Sequence, residues 1–364
     1  MNCNSTANAQ HGARRLLCRA LAHPTSLTEL PPQQLDATLR LARRARLLGR
    51  LAHELAGRGL VGSFPSVVSD QLLSGLIAAR AEAHAARWEL DRIAWALSGL
   101  EDVPVVALKG CAYLLAGTPN AGGRTLSDVD LLVPEARLEE VEARLLKRGW
   151  RARETTAYDQ HYYRAWAHEL PPLRHLERGT ELDLHQNILM RTARLKPSAE
   201  LLLDASRPIP GSRFRVLAPA DMVLHAMTHL FYGGEVADAL RELVDIDDLL
   251  RHFGANEPGF WGMFWSRARQ LDLERPAYYG LRFAAEILNT DVPPEVGASA
   301  RAGAPGVPIR WLMANLVPKA LFPRSLDGRS HSADVARFAL YLRSHWVKMP
   351  PLQLAQHLLH KARA

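Results

Sequence analysis

The chain has 364 residues, 48% of them hydrophobic and 23% charged, with a formal net charge of +7 and three cysteines. That balance is typical of folded globular proteins and excludes collagen-like, disordered and disulfide-stapled classes. No apolar run reaches the ~18 residues of a membrane span, and the opening residues lack the apolar core of a secretory signal. Cys3, Cys18 and Cys111 are too scattered for a thiolate metal cage. A cytoplasmic protein with no membrane partner is expected.

The charge is uneven. Residues 1–60 hold nine arginines against Glu29, Asp36 and Glu54, so this segment carries +6 and the rest of the chain +1. A basic segment can steer phosphates or nucleic acid, or it can be a solvated helix face. Leu39, Leu47, Leu48, Leu51 and Leu55 recur at helical spacing, which predicts a helix over 35–60 ended by Gly57 and Gly59. A second helix is predicted over 69–97, with Leu72, Leu76, Ala79, Ala83, Ala86, Leu90, Ile93 and Leu97 on one stripe. Residues 1–100 therefore form an N-terminal helical region.

The pattern changes at Val103, where a β-branched run to Leu108 predicts a buried strand. Lys109-Gly110 opens a short helix, and Gly117, Pro119, Asn120, Gly122 and Gly123 predict a loop. Residues 128–133 read as the next strand and 135–148 as an amphipathic helix. Residues 180–185 read as a strand of period two. Strand and helix alternating over 101–192 predict an α+β unit with a small mixed sheet.

Helix returns over 193–292, with Asp221 as expected N-cap of a helix from Met222 to Tyr232 and a further helix from Asp238 to Phe253. Trp261, Trp265, Tyr278 and Tyr279 read as core. Arg241 and Asp245, four apart, are expected to pair with each other. The Pro-, Gly- and Ala-rich stretch 293–308 reads as a flexible connection, and 332–364 as terminal helix.

Chemistry concentrates between 109 and 185. Alternate residues of a strand share a face, so Asp128 and Asp130 stand together, as do Glu181, Asp183 and His185. If the two strands are neighbours, Asp128, Asp130 and Asp183 converge, and carboxylates so close need a compensating cation. Oxygen ligands favour Mg²⁺ or Mn²⁺. Two such ions can serve phosphoryl or nucleotidyl transfer, with Asp128 and Asp130 bridging them and Asp183 completing one. Backbone amides of Gly110 and Cys111 at a helix N-terminus suit phosphates. Lys109 is either a phosphate partner or a solvated residue, and Arg124 pairs with phosphate, with the acids or with a structural carboxylate. His225 and His229 lie four apart without the glutamate of a metalloprotease helix, so packing is the expected role.

The stretches LKGCAYLLAG, GGRTLSDVDLLVP and ELDLHQNI resemble the nucleotidyltransferase superfamily typified by DNA polymerase β. More narrowly, they resemble the bacterial uncharacterised nucleotidyltransferase family. The resemblance spans roughly 35–255 and implies a mixed-sheet core flanked by helices, a divalent metal and a nucleoside triphosphate. The implied activity moves a nucleoside monophosphate to an acceptor hydroxyl on a small molecule, protein or RNA; the basic N-terminal helices permit nucleic acid as acceptor without requiring it. A non-catalytic nucleotide-binding adaptor is the alternative, suggested by Cys111 where the superfamily carries Gly or Ser. A zinc hydrolase built on His225, His229 and Asp245 is the third reading.

Overall fold

The computed structural model describes residues 3–153, 163, 166–233, 236–324 and 330–354. The N-terminal part is helical: α1 (Cys3–Ala22), α2 (Pro32–Arg44), α3 (Leu48–Gly57) and α4 (Ser66–Ala96). The single helix predicted over 35–60 is thus two. The chain breaks at Ala45–Leu47, where Arg46 takes φ +57°. α4 runs 31 residues from Ser66 and buries Leu72, Leu76, Ala79, Leu90 and Ile93 of the predicted stripe, while Ala83 and Ala86 are half-buried.

The core sheet follows. β1 (Val106–Ala107), α5 (Lys109–Ala116), β2 (Asp128–Leu132), α6 (Leu138–Leu146), β3 (Trp150–Ala152), β4 (Leu173–His175), β5 (Glu181–His185), α7 (Ala199–Ala205), β6 (Arg207–Pro208) and β7 (Arg215–Val216) build a seven-stranded mixed sheet of order β3-β4-β5-β2-β1-β7-β6. β2 pairs parallel with β5 and antiparallel with β1. The opposite faces of β2 and β5 are driven by burial: Val129, Leu131, Leu182 and Leu184 are at most 2% exposed. Fixing these four inward sets the register and turns the intervening residues to the other face. The strand predicted over 103–108 shrinks to two residues, because Leu108 already serves as N-cap of α5.

Helices close the molecule. α8 (Pro219–Thr228) passes through a π turn at His229–Gly233 and is followed by α9 (Leu240–Asn256), α10 (Phe260–Gln270), α11 (Glu274–Leu288), α12 (Pro294–Ala302), α13 (Val307–Ala320) and α14 (His331–Lys348). Three expectations are corrected. Asp221 is not an N-cap: Ala218 holds that position, and Asp221 lies inside α8, buried and paired with Arg267 at 2.7 and 2.8 Å. The stretch 293–308 is largely helical, because Val296 and Ala300 bury one face and Pro294 fits the first turn. Arg241 and Asp245 do not pair: Asp245 is the buried partner of Arg124, while Arg241 reaches Glu242 and Thr125. Trp265, Tyr278 and Tyr279 are core as expected, with Trp261 packed at its edge. Residues 355–364 of the predicted terminal helix lie outside the described residues. No helix among those described is long and apolar enough to cross a membrane.

Candidate active site

Parallel pairing of β2 with β5 sets Asp128 beside Glu181 and Asp130 beside Asp183, all on the face opposite Val129 and Leu182. The cleft side of this sheet therefore carries a row of acids. Asp130 is buried, Asp183 half-buried, and Asp128 exposed at the mouth, where Ser127 Oγ donates to it at 2.8 Å. His185, one pleat beyond Asp183, presents Nε2 3.0 Å from Asp130 Oδ1. Donor atoms of Asp130, Asp183 and His185 lie within 4.8 Å of one another, a grouping that can hold a metal ion; Asp128 stands outside it.

The acids differ electrostatically. Burial alone would raise the Asp130 carboxyl, but the Lys109 ammonium at 2.6 Å and the His185 ring outweigh it and hold the carboxyl well below the usual range. At Asp183 the charges of His185 and Lys109 act in the same direction but are outweighed. Burial, then the carboxylates of Asp130 and Glu169, push it up to about 7. Among the described residues no side chain donates a hydrogen bond to Asp183. Two adjacent carboxylates, one neutralised and one not, fit a divalent oxygen-ligated cation.

β1 ends in a sharp turn that aims α5 at these acids. Leu108 N–H donates to the Asp130 carbonyl, and Lys109 then takes φ +47°, a left-handed conformation that costs a non-glycine residue roughly 1–2 kcal/mol. The turn throws the Lys109 side chain across to Asp130. The leading amides of α5 have no intrahelical acceptor, and they belong to the buried Gly110 and Cys111. Gly110 is required for packing: a Cβ there would lie 2.5 Å from Arg124 Nη1 and collide with Leu126. Cys111 points inward, its Sγ 3.8 Å from the Asp128 carbonyl. Burial pushes the thiol up to about 12, so the side chain is an inert filler.

The glycine loop before β2 is anchored at every step. Gly123 (φ +71°) meets α3 backbone to backbone; a Cβ on the facing Gly49 would lie 2.5 Å from the Gly123 carbonyl. Arg124 Nε donates to both oxygens of Asp245 at 3.1 and 3.2 Å, and its guanidinium lies 5.4 Å from the Tyr113 ring centroid. Of the three partners weighed for Arg124, the structure supplies the structural carboxylate. Leu126 N–H donates to Glu82 of α4 at 2.8 Å. Farther along α4, Glu89 accepts from Arg178 Nε and from Thr180 Oγ1 at 2.9 and 3.0 Å, fixing the entry to β5.

A cavity of about 230 Å³ opens beside Asp128 and Asp130, lined also by Arg46, Lys109, Arg124 and Arg241, with Asp183 outside its lining. His229 lines it too, but His225 is buried, with burial holding its ring down to about 3. Among the described residues neither histidine joins a group of three metal donors. The proposed hydrolase site does not assemble, since Asp245 is committed to Arg124 and Asn120.

The comparison with known families rests on the same elements. A family model described as an uncharacterised nucleotidyltransferase matches residues 31–289, well over half of the chain. The chain belongs to this uncharacterised nucleotidyltransferase family. No curated protein and no solved structure matches it. Membership carries a nucleotidyl-transfer function in general terms, and the matched span includes α2 to α4 as well as the sheet. Sequence reasoning missed Glu82 and Glu89, which α4 aims at the loop and at β5. It also missed Glu169, whose short stretch before Pro171 has no recognisable spacing to the other acids.

Proposed function

We propose that this nucleotidyltransferase moves a nucleoside monophosphate from a nucleoside triphosphate to an acceptor hydroxyl, with two Mg²⁺ or Mn²⁺ ions held by Asp128, Asp130 and Asp183. The observation that carries the proposal is the pairing of Asp130 with Asp183 across β2 and β5, with no side chain among the described residues donating to Asp183. The cations would supply neutralisation of the triphosphate and a lowered pKa for the attacking hydroxyl.

The chain's own residues then divide the work. Asp128 and Asp130 would hold both ions and Asp183 would complete one of them, so that the acids meet the triphosphate only through the cations. The amides of Gly110 and Cys111 at the start of α5 receive phosphate oxygens. Lys109, paired with Asp130 at 2.6 Å, lines the cavity, where its ammonium could also meet a phosphate oxygen. Arg124 acts indirectly by locking the loop against Asp245. The acceptor oxygen forms a bond to the α-phosphorus, the bond to the β-phosphate oxygen breaks, and pyrophosphate leaves.

Incubation with each α-labelled nucleoside triphosphate, Mg²⁺ and a cell extract tests this reading. A labelled acceptor is expected with the unaltered chain and not with Asp130→Ala. Nucleotide binding without any labelled product, unaffected by Asp130→Ala, would instead favour an adaptor.

A further inference from the structure

His185 has a second side. The segment ahead of β4 runs antiparallel along the end of β5: Glu169 bridges to His185, Leu170 N–H donates to the Leu184 carbonyl, and Gln186 N–H donates to the His168 carbonyl. This gathers the side chains of His168, Glu169 and His185, whose donor atoms lie within 4.8 Å of one another. Glu169 Oε2 is the centre of the group, 3.2 Å from His185 Nδ1 and 3.7 Å from His168 Nε2.

The tautomer of His185 makes the group informative. Ionised Asp130 only accepts, so the His185 nitrogen facing it, Nε2, carries a hydrogen. The other nitrogen, Nδ1, belongs to a side chain only 4% exposed, is itself buried, and makes no hydrogen bond. It faces a Glu169 carboxylate oxygen at 3.2 Å, a nitrogen and an oxygen donor spaced so that one ion can take both. Such an ion sits off the line between the two atoms and recruits a third donor. Ligands 2.0–2.2 Å from a tetrahedral zinc are about 3.3 Å apart, close to the spacing seen here. His168 suits the role: burial, then the positive charge of neighbouring groups, keeps its ring neutral. The hydrogen bond from His185 to Asp130 matches the carboxylate that usually orients a metal-bound imidazole.

We propose that His168, Glu169 and His185 form a second cation site, separate from the Asp130–Asp183 pair, that takes a zinc-class divalent ion through two imidazoles and one carboxylate. Nitrogen donors of this kind select against Mg²⁺, and the fourth position is left to water. The ion pins the His185 ring and, through Nε2, the Asp130 carboxylate. The site stands independently of the nucleotidyl-transfer reading.

The test uses the full chain, stripped with a chelator and titrated with Co²⁺ alone and then with Zn²⁺. One Co²⁺ per chain is expected, with the intense visible absorption of four-coordinate cobalt, displaced stoichiometrically by Zn²⁺. Glu169→Gln and His168→Ala should each weaken binding about tenfold or more, whereas Asp183→Asn and Asp128→Ala should keep the band. Circular dichroism of each variant reports its folding. Absence of a stoichiometric ion in the unaltered chain would overturn the proposal. So would an ion lost on Asp183→Asn and kept on Glu169→Gln, which would assign it to the carboxylate pair. Failure of nucleotide transfer would leave these results unchanged.

Discussion

Two carboxylates side by side in a partly buried cleft resist joint ionisation, and Asp183 is the one whose neighbouring cations do not offset its burial and the adjacent carboxylates. Its carboxyl, raised to about 7, holds a proton in the folded chain over a range where the unfolded chain, near 3.9, has lost it. The folded state then binds more protons, so the stability of the metal-free chain falls as pH rises from about 4 to about 7. Thermal unfolding across that window should show this slope, and Asp183→Asn should flatten it. Because a cation needs the ionised form, stabilisation by Mg²⁺ should grow between pH 6 and pH 8 and be absent in Asp183→Asn. A Mg²⁺ effect independent of pH would contradict this account of the residue. Arg124 makes a different prediction. Arg124→Ala leaves Asp245 buried without its main partner and should cost about 3–5 kcal/mol in denaturant unfolding. Lysine should restore only part of that, lacking the planar fork.

At the scale of elements, the glycine loop before β2 is held by close backbone approach, and the turn between β1 and α5 by side chains packed against Gly110. Gly110→Ala forces a Cβ against Leu126 and the Arg124 guanidinium. It should destabilise the fold by about 1–3 kcal/mol and weaken nucleotide binding by more than that loss explains. Isothermal titration beside an unfolding curve separates the two. Much of this was legible in advance. The period-two stretches at 128–132 and 181–185 placed Asp128, Asp130 and Asp183 on one face, because the register is forced by the apolar residues between them. What was not legible came from distance along the chain. Asp245 is 121 residues from Arg124, and a helical four-residue spacing pointed to Arg241 instead. Arg46 breaks what reads as one helix because Gly49 must dock against Gly123, a contact no local pattern announces. Proline and glycine in 293–308 suggested a linker, yet buried Val296 and Ala300 make it a helix.

Across the whole molecule the cleft is assembled from three parts of the chain. α3 and α4 hold the loop and the entry to β5, the sheet carries the acids, the π turn after α8 supplies His229, and α9 supplies Arg241 and Asp245. A nucleotide bound there should therefore stabilise the fold as a unit. At one hundred times its dissociation constant the gain is about 2.7 kcal/mol, and the expected readout is an upward shift of the main unfolding transition. A shift confined to a minor early transition would show that the flanking helices do not share the site. The most direct test of the central claim is equilibrium binding of a nucleoside triphosphate with and without Mg²⁺, in the unaltered chain and in Asp183→Asn. The account predicts that Mg²⁺ tightens binding about tenfold or more in the unaltered chain, a coupling of about 1.4 kcal/mol, and has no such effect in the folded variant. Equal affinity with and without Mg²⁺, or a variant that keeps the full Mg²⁺ effect, would contradict it.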